Sequence, residues 1–222
     1  MVPRDRSALT IPALLAASAL CVATVEYRGH HTGDTFYGFL VWNLVLAWVP
    51  FVLALGAYAT ARRGAGTAAA VLCVLWLLFF PNAPYLLTDF IHLRETPETP
   101  LWYDALMLAS FAWTGLLLGF GSLYLMQMIW RRAAGTLASW LGVLGALALA
   151  SLGVYLGRFL RFNSWDALVR PRAVLDVIKT ELENPFVHPR LAGALLVLTA
   201  SLAVAYLIVY SAVGTRLDLE RE

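Results

Sequence analysis

Residues 77–94 read LLFFPNAPYLLTDFIHLR, and this segment constrains the architecture more than any other part of the chain. It begins as an apolar helix, meets Pro81 and Pro84, and resumes with polar and ionisable side chains. Because proline lacks an amide hydrogen and crowds the preceding turn, we expect the helix to be interrupted here. At membrane depth the freed backbone groups need protein or water partners, and ionisable residues there often mark function. The segment therefore predicts where a site lies, but it does not indicate the ligand or reaction.

The composition of the whole chain is typical of an integral membrane protein. Of its 222 residues, 60% are hydrophobic and 14% are charged, and the mean hydropathy is +0.72. Soluble domains carry about 25% charged residues. The membrane spans need most of this length, so we interpret residues 1–222 as one transmembrane domain embedded in the lipid bilayer. The net charge of +2 gives no indication of a nucleic-acid partner, and neither cysteine has zinc-ligand spacing, so no cofactor is expected.

Six apolar segments predict an all-α bundle of six transmembrane helices, since about 20 residues cross a bilayer. They cover residues 8–25, 36–58, 67–80, 105–129, 137–160 and 191–213. We interpret the first as a retained helix, because its apolar stretch is longer than a signal-peptide core. The third is short and is expected to continue past the prolines over residues 85–93, with Asn82 as the cap of this second piece.

The arginines predict the orientation of the bundle in the membrane. Arg62–Arg63 and Arg131–Arg132 lie in two loops, and further basic residues lie near both termini. The positive-inside rule places these loops and both termini in the cytoplasm. The other loops then face outward, and the last of them includes a short amphipathic helix over residues 172–183, where apolar side chains recur at helical spacing.

Small residues four positions apart predict close contacts between helices, because they let helix backbones approach each other in lipid. These residues are Gly115/Gly119, Gly142/Ala146/Ala150 and Gly153/Gly157.

Two polar clusters are predicted to lie on the outer side, where they could meet. The first lies at the outer end of the third helix and the entry of the fourth, and comprises Asn82, Tyr85, Thr88, Asp89, His92, Arg94, Tyr103 and Asp104. The second lies at the outer end of the fifth helix and comprises Arg158, Arg161, Asn163, Ser164, Trp165 and Asp166. In an α-helix after the prolines, Tyr85, Asp89 and His92 would share one face.

Four roles are open for these clusters. Arg158 and Arg161 could pair with carboxylates and lock the broken helix to its neighbours, which is a purely structural role. The same two arginines could instead clamp a phosphate or carboxylate, and an anionic lipid head group is the natural candidate at this depth. His92 could act as a general base oriented by Asp89, and these two residues are the catalytic candidates. Asp89 and His92 could also contribute to a metal site, although two ligands alone are weak evidence for one.

The strings FFPNAPYLLTDFIHLR (residues 79–94) and GRFLRFNSWD (residues 157–166) resemble the two signature segments of a family of bacterial multi-pass membrane proteins, the domain of unknown function 1361 family. The resemblance extends from about the second to the sixth predicted helix. It implies a bacterial inner-membrane protein, and it assigns no activity and no catalytic residues.

From the residues themselves, we favour an outward-facing polar pocket that binds or transports an anionic lipid head group or a small anion. The alternatives are an interfacial or intramembrane enzyme that uses Asp89 and His92, and a structural or assembly subunit of a membrane complex.

Overall fold

Apolar helices make up the regular structure of the residues that the computed structural model describes, which are 9–162, 166–173, 175–176, 179 and 189–219. Within these residues there is no β-strand, and five helices are long and apolar enough to cross a membrane. The α-helices are α1 Thr10–Thr32, α2 Phe39–Arg62, α3 Gly66–Phe79, α4 Asn82–Tyr85, α5 Leu101–Leu160, α6 Asp166–Val169 and α7 Pro189–Leu219. Two 3-10 helices accompany them: Phe36–Gly38 leads into α2, and Leu86–His92 follows α4.

Helix α1 is longer than the sequence predicted. It continues past residue 25 to Thr32 and ends where Gly33 adopts a left-handed conformation with φ of 70°. The Gly33 amide donates to the carbonyl of Gly29 at 2.8 Å, which closes the last turn. The prediction was wrong because it treated Arg28 as a loop residue, whereas this arginine is buried on the last turns of α1.

The prolines interrupt the third predicted helix at the expected position. Helix α3 ends at Phe79, and the Ala83 amide donates to the Phe80 carbonyl at 3.2 Å, three residues back, instead of to Phe79. The Phe79 carbonyl accepts a hydrogen bond from Asn82 Nδ2 at 2.8 Å. The expectation that Asn82 caps the next helix is therefore wrong. Its side chain satisfies a freed carbonyl of the preceding helix, because an unpaired carbonyl among apolar side chains is costly.

The helical path continues beyond this interruption. Pro81 and Leu86 both keep right-handed helical backbone angles, and the whole stretch Gly66–His92 is long and apolar enough to span a membrane. After α4 the chain forms a 3-10 helix, in which residues three apart lie on one face. Asp89 and His92 are related in this way, so they share a face for a different reason from the predicted α-helical spacing.

Helix α5 contains a reversal of the chain at Gly135. The helix has 60 residues, and Gly135 within it has non-helical backbone angles of φ 85° and ψ −179°. In a straight helix, Trp130 and Gly142 would be about 18 Å apart. Instead, a Cβ atom added to Gly142 would lie 2.8 Å from the Trp130 ring, so the two halves of α5 fold back on each other. Glycine suits this turn because it has no Cβ to clash at positive φ.

Glycines of α5 make the close contacts that the sequence predicted. A Cβ atom added at Gly115, Gly153 or Gly157 would lie 2.6, 2.6 or 3.1 Å from a side chain of residues 81–86. Both halves of α5 therefore pack against the proline-containing segment. The prediction of close helix approach is confirmed at these positions.

The last part of the chain is described in part. Helix α7 packs on the core through the buried Tyr206, whose hydroxyl donates to Gln127 Oε1 at 2.7 Å. Residues 172, 173, 175, 176 and 179 are helical, and the rest of the predicted amphipathic helix over residues 172–183 lies outside the described residues.

Candidate functional site

Arg158 is the centre of a polar cluster that joins the end of α5 to the segment after the prolines. Its guanidinium forms an ion pair with Asp89 through Nη2 and donates to Thr88 Oγ1 at 2.9 Å through Nε. Its Nη1 lies 3.0 Å from His92 Nε2, and its Cζ lies 4.2 Å from the centroid of the Tyr85 ring. The structure thus brings together the predicted Tyr85, Asp89, His92 and Arg158.

The hydrogen bonds of Arg158 engage both ionisable neighbours in this Arg158 cluster. A guanidinium has donors only, so His92 Nε2 is the acceptor in its contact with Arg158. The second oxygen of Asp89 accepts from Asn43 Nδ2 at 3.1 Å. Asp89 is 1% and Arg158 10% exposed, so their opposite charges compensate each other in a buried setting. In this arrangement Arg158 contacts both His92 Nε2 and Asp89 Oδ1.

A second buried ion pair lies between α1 and the start of α5. Arg28 donates to Asp104 through a two-pronged contact, with Nε–Oδ1 at 2.8 Å and Nη2–Oδ2 at 3.2 Å. Both side chains are almost inaccessible, at 2% and 0% exposed. We predicted that Asp104 could pair with Arg158 or Arg161, and this prediction is wrong, because its ion-pair partner is Arg28. The preceding apolar helix and the acidic start of α5 were the only signals in the sequence.

The Arg28–Asp104 pair extends to the surface through Asp34. Arg28 Nη1 lies 3.4 Å from Asp34 Oδ2, and Arg94 Nη2 lies 3.2 Å from the same oxygen. The Asp34 backbone and side chain organise the loop between α1 and α2, since the Phe36 amide donates to Asp34 Oδ1 at 2.8 Å. This hydrogen bond, followed by the nearby arginines, lowers the pKa of Asp34 below its ordinary value.

Aromatic side chains connect the two ion pairs. The Tyr37 ring lies under Arg28, with 4.5 Å from the Cζ atom to the ring centroid, and the Tyr37 hydroxyl donates to the His92 carbonyl at 2.9 Å. Phe39 contacts the His92 imidazole in an edge-on arrangement, with ring centroids 5.0 Å apart. The polar groups of α1, α2, the 3-10 helix and both ends of α5 therefore form one continuous layer.

A cavity of about 640 Å³ lies beside the Arg158 cluster, and we call it the upper cavity. It lies between α2, the stretch around the prolines, and the second half of α5. Four polar residues border it: Asn43, Asn82, Tyr85 and Arg161. Asn43 and Tyr85 also contact the Arg158–Asp89 pair, so they form the wall between that pair and the cavity.

The remaining walls of the upper cavity are apolar and open at the side. Leucines 77, 78, 149, 152 and 156 supply much of the surface. Two other wall residues, Trp42 and Val74, are 57% and 70% exposed. Exposed side chains on an apolar helix surface face lipid when the helix spans a membrane. In a membrane the cavity would therefore open toward the acyl chains of the surrounding lipids.

Arg161 differs from Arg158 in both conformation and environment. It terminates α5 in the left-handed region, with φ of 58° and ψ of 29°, and the following Phe162 amide donates to the Leu156 carbonyl at 3.1 Å. A non-glycine residue adopts this conformation at a cost. Its side chain is exposed and borders the upper cavity, and no carboxylate in the described part of the chain forms an ion pair with it. The two arginines that we predicted as a joint clamp thus lie in separate environments.

The structure does not describe every predicted site residue. Asn163, Ser164 and Trp165 lie outside the described residues. Asp166 is buried, and its Oδ1 lies 3.8 Å from Arg170 Nε one helical turn later. Among the described residues, no group of three or more His, Cys, Asp or Glu side chains could hold a metal ion.

Comparison with known proteins gives one match. Residues 42–209, more than half of the chain, match the model of the family described as "Protein of unknown function (DUF1361)". No curated protein and no solved structure matches the chain. The matched range includes the proline-containing segment, all of α5 and both polar groups that meet at Arg158. The chain therefore belongs to the DUF1361 family of proteins.

Proposed function

We propose that this protein binds an anionic amphiphile, a lipid with a phosphate or carboxylate head group, in the upper cavity. The observation that carries the proposal is the position of Arg161 at the polar end of an otherwise apolar cavity. Arg28, Arg94 and Arg158 already have carboxylate partners at this end of the bundle. Arg161 is the arginine at this cavity whose charge is left for a ligand, and guanidinium groups suit phosphate and carboxylate oxygens.

The shape of the upper cavity supports an amphiphile over a small free anion. Apolar side chains make most of the wall. Such a surface gains nothing from a hydrated ion, whereas an acyl chain packs against it as it does against other lipid tails. The volume of about 640 Å³ lies within the usual range of ligand pockets. The side opening lets a lipid enter from the bilayer without leaving the apolar phase. Asn43, Asn82 and Tyr85 add uncharged polar groups near Arg161.

We infer six membrane crossings from the reversal within α5. A helix of 60 residues would measure about 90 Å, three times the hydrocarbon thickness. One crossing before Gly135 and one crossing after it remove this conflict. Both termini then lie on the same side of the membrane. The Arg62–Arg63 and Arg131–Arg132 loops then lie in the cytoplasm, and the upper cavity opens in the outer leaflet of a bacterial inner membrane.

A structural role is the second candidate, and the two buried ion pairs favour it. Arg28–Asp104 and Arg158–Asp89 connect α1, the proline-containing segment and both ends of α5. Such pairs fix helix positions because either partner left alone would be a buried charge. In the lipid-binding proposal these pairs hold the wall of the upper cavity. In a purely structural protein they would be the whole function of the polar layer.

The test compares lipid binding between variants of two arginines that both lie on the predicted outer side of the membrane. The protein is purified in mild detergent, phosphatidylglycerol or phosphatidylcholine is added, and bound lipids are counted by native mass spectrometry. Arg161→Gly removes the charge and also relieves the left-handed backbone, so the variant should fold. We expect it to lose phosphatidylglycerol binding, while Arg161→Lys retains part of it.

The matched control is Arg172→Gln, which removes an exposed arginine that does not border the upper cavity. It should bind phosphatidylglycerol as the native protein does. Leu152→Trp fills the cavity without changing the charge and should reduce binding as well. Equal binding by Arg161→Gly and Arg172→Gln, with both folded, would contradict the proposal and favour the structural role.

A further inference from the structure

We propose a second lipid site at the opposite end of the bundle, which binds the head group of an anionic phospholipid of the other leaflet. It is a cavity of about 410 Å³ between α2, α3 and the first half of α5, and we call it the lower cavity. Tyr58 borders it and lies near the end of α2, whereas Asn43 of the upper cavity lies near the start of the same helix. The two cavities are therefore separated by most of the length of α2.

Two arginines meet at one tyrosine beside the lower cavity. The Cζ atoms of Arg132 and Arg62 lie 5.6 Å and 5.9 Å from the centroid of the Tyr58 ring. Arg132 also borders the cavity. Two cations beside one ring repel each other, and an anion between or next to them would reverse this repulsion. The ring alone compensates the charges only in part, since a cation–π contact at an exposed site is weak.

The segments that form the lower cavity contain no acidic residue. Neither residues 35–88 nor residues 105–165 include an Asp or Glu. In the described part of the chain, no ion pair involves Arg62 or Arg132. At the upper end the arginines of the polar layer have carboxylate partners, whereas Arg62 and Arg132 have none among the described residues. An anion from outside the chain is the partner that this charge arrangement fits.

The walls of the lower cavity favour a lipid over a free anion. Small residues leave the space open, namely Ala61, Gly64, Gly66, Ala69, Ala70 and Ala133. Cys73 and Ile129 extend the wall along the helices into the apolar region. A phosphate at Arg132 would thus have an apolar channel beside it for the rest of a lipid. Basic pockets between transmembrane helices are known to take anionic head groups in this way.

The inference does not depend on the proposed function, because the two cavities share no residue. Loss of binding at the upper cavity would leave the lower site in place, and the reverse also holds.

Cys73 provides a reporter that the chain already contains. It borders the lower cavity and is half-buried, while Cys21, the other cysteine, is fully buried. A Cys21→Ser variant leaves Cys73 as the single thiol. The rate of its reaction with an uncharged maleimide is measured in nanodiscs of phosphatidylcholine and in nanodiscs that contain phosphatidylglycerol. We expect phosphatidylglycerol to slow the reaction several-fold.

Two double variants separate the site from general surface charge. Arg62→Gln/Arg132→Gln removes the arginines beside Tyr58, and Arg63→Gln/Arg131→Gln removes their immediate neighbours with the same change of charge. A basic residue near an anionic surface contributes about 1 kcal/mol, so each arginine at the site should account for about a fivefold change in affinity. The first double variant should lose the protection of Cys73, and the second should keep it. Equal protection in the two double variants would overturn the proposal.

Two further arms cover the source of the anion and the folding of the variants. Inorganic phosphate added to phosphatidylcholine nanodiscs should give no protection, and protection by phosphate would overturn the assignment to a lipid. Ala70→Phe fills the lower cavity without a change of charge. For this variant, phosphatidylglycerol is counted by native mass spectrometry, because the new ring would itself cover Cys73. Unchanged lipid binding by the folded variant would also overturn the proposal.

Discussion

Arg28 and Arg158 are both buried arginines near the same end of the bundle, yet their surroundings differ. Arg28 directs a two-pronged contact at Asp104, and the Tyr37 ring covers it. Arg158 distributes its donors over Asp89, Thr88 and His92, and it lies next to a cavity. The first arrangement is centred on one buried carboxylate, and neither Arg28 nor Asp104 borders the upper or the lower cavity.

The difference indicates which polar groups can respond to a ligand. Loss of either Arg28 or Asp104 would leave the other as a buried charge, so this ion pair fixes the position of α1 against α5. The Arg158 cluster shares Tyr85 and Asn43 with the upper cavity, so occupation of that cavity would act directly on the cluster. We therefore expect the Arg28 pair to determine stability and the Arg158 cluster to couple stability to binding.

The largest effect is expected for Arg28→Met. It leaves Asp104, which is 0% exposed, as a buried charge without a cation, and such a loss costs about 3–5 kcal/mol. The free energy of unfolding is measured by titration with sodium dodecyl sulfate. The double variant Arg28→Met/Asp104→Leu should recover most of the loss, since no charge is then left buried. A double variant as unstable as the single one would show that the pair does not have this role.

A smaller loss is expected for Arg158→Met. Asp89 keeps the hydrogen bond from Asn43, so we expect a loss of about 1.5–3 kcal/mol, the range for hydrogen bonds to a charged group. The same titration measures it. Because Arg161 is kept, added phosphatidylglycerol should stabilise Arg158→Met too, but less than it stabilises the native protein. A loss larger than for Arg28→Met would reverse the comparison.

Glycine substitutions in α5 test the wall between the cluster and the upper cavity. A Cβ on Gly157 would lie 3.1 Å from the Tyr85 ring, whereas nothing lies within 4 Å of the same position on Gly145. Gly157→Leu should displace Tyr85 from Arg158 and destabilise the protein by about 1–3 kcal/mol, as overpacking does. Gly145→Leu serves as the control and should be close to neutral. Thermal unfolding in detergent distinguishes the two variants.

The smallest effect concerns Asp34, at the surface end of the Arg28 pair. Its pKa is lowered from the ordinary value of 3.8, first by the hydrogen bond from the Phe36 amide and then by Arg28 and Arg94. A lowered pKa in the folded state means that the contribution is complete above pH 3.8 and is lost as the pH falls through the lower folded value. The melting temperature of Asp34→Asn should therefore fall less between pH 6 and pH 3 than that of the native protein. Parallel curves would refute this contribution.

The sequence was sufficient for the helical class, for the interruption at the prolines and for one of the two arginine clusters. Apolar length is a strong signal in a membrane protein, and two prolines in an apolar segment have a direct effect on the hydrogen bonds of a helix. Asp89 and Arg158 could be predicted to meet because each follows an apolar helix on the same predicted side. Here local pattern and topology pointed to the same place.

The remaining features depend on packing that a local pattern does not contain. Arg28 was placed in a loop by its charge alone, and its pairing with Asp104 requires the position of α1 against α5. The 3-10 geometry of Leu86–His92 and the left-handed conformation of Arg161 arise from neighbouring contacts. Both cavities result from where small residues and leucines of three helices meet, which only the assembled bundle defines.

The Arg28–Asp104 contact also has a consequence for how the folding unit is delimited. The family match begins at residue 42, so α1 precedes it, while Asp104 lies within it. A fragment starting at residue 42 would therefore bury the Asp104 carboxylate without Arg28 as its counterion. We therefore expect the first helix to be needed for folding, and truncation at the start of the matched range to remove the counterion of Asp104.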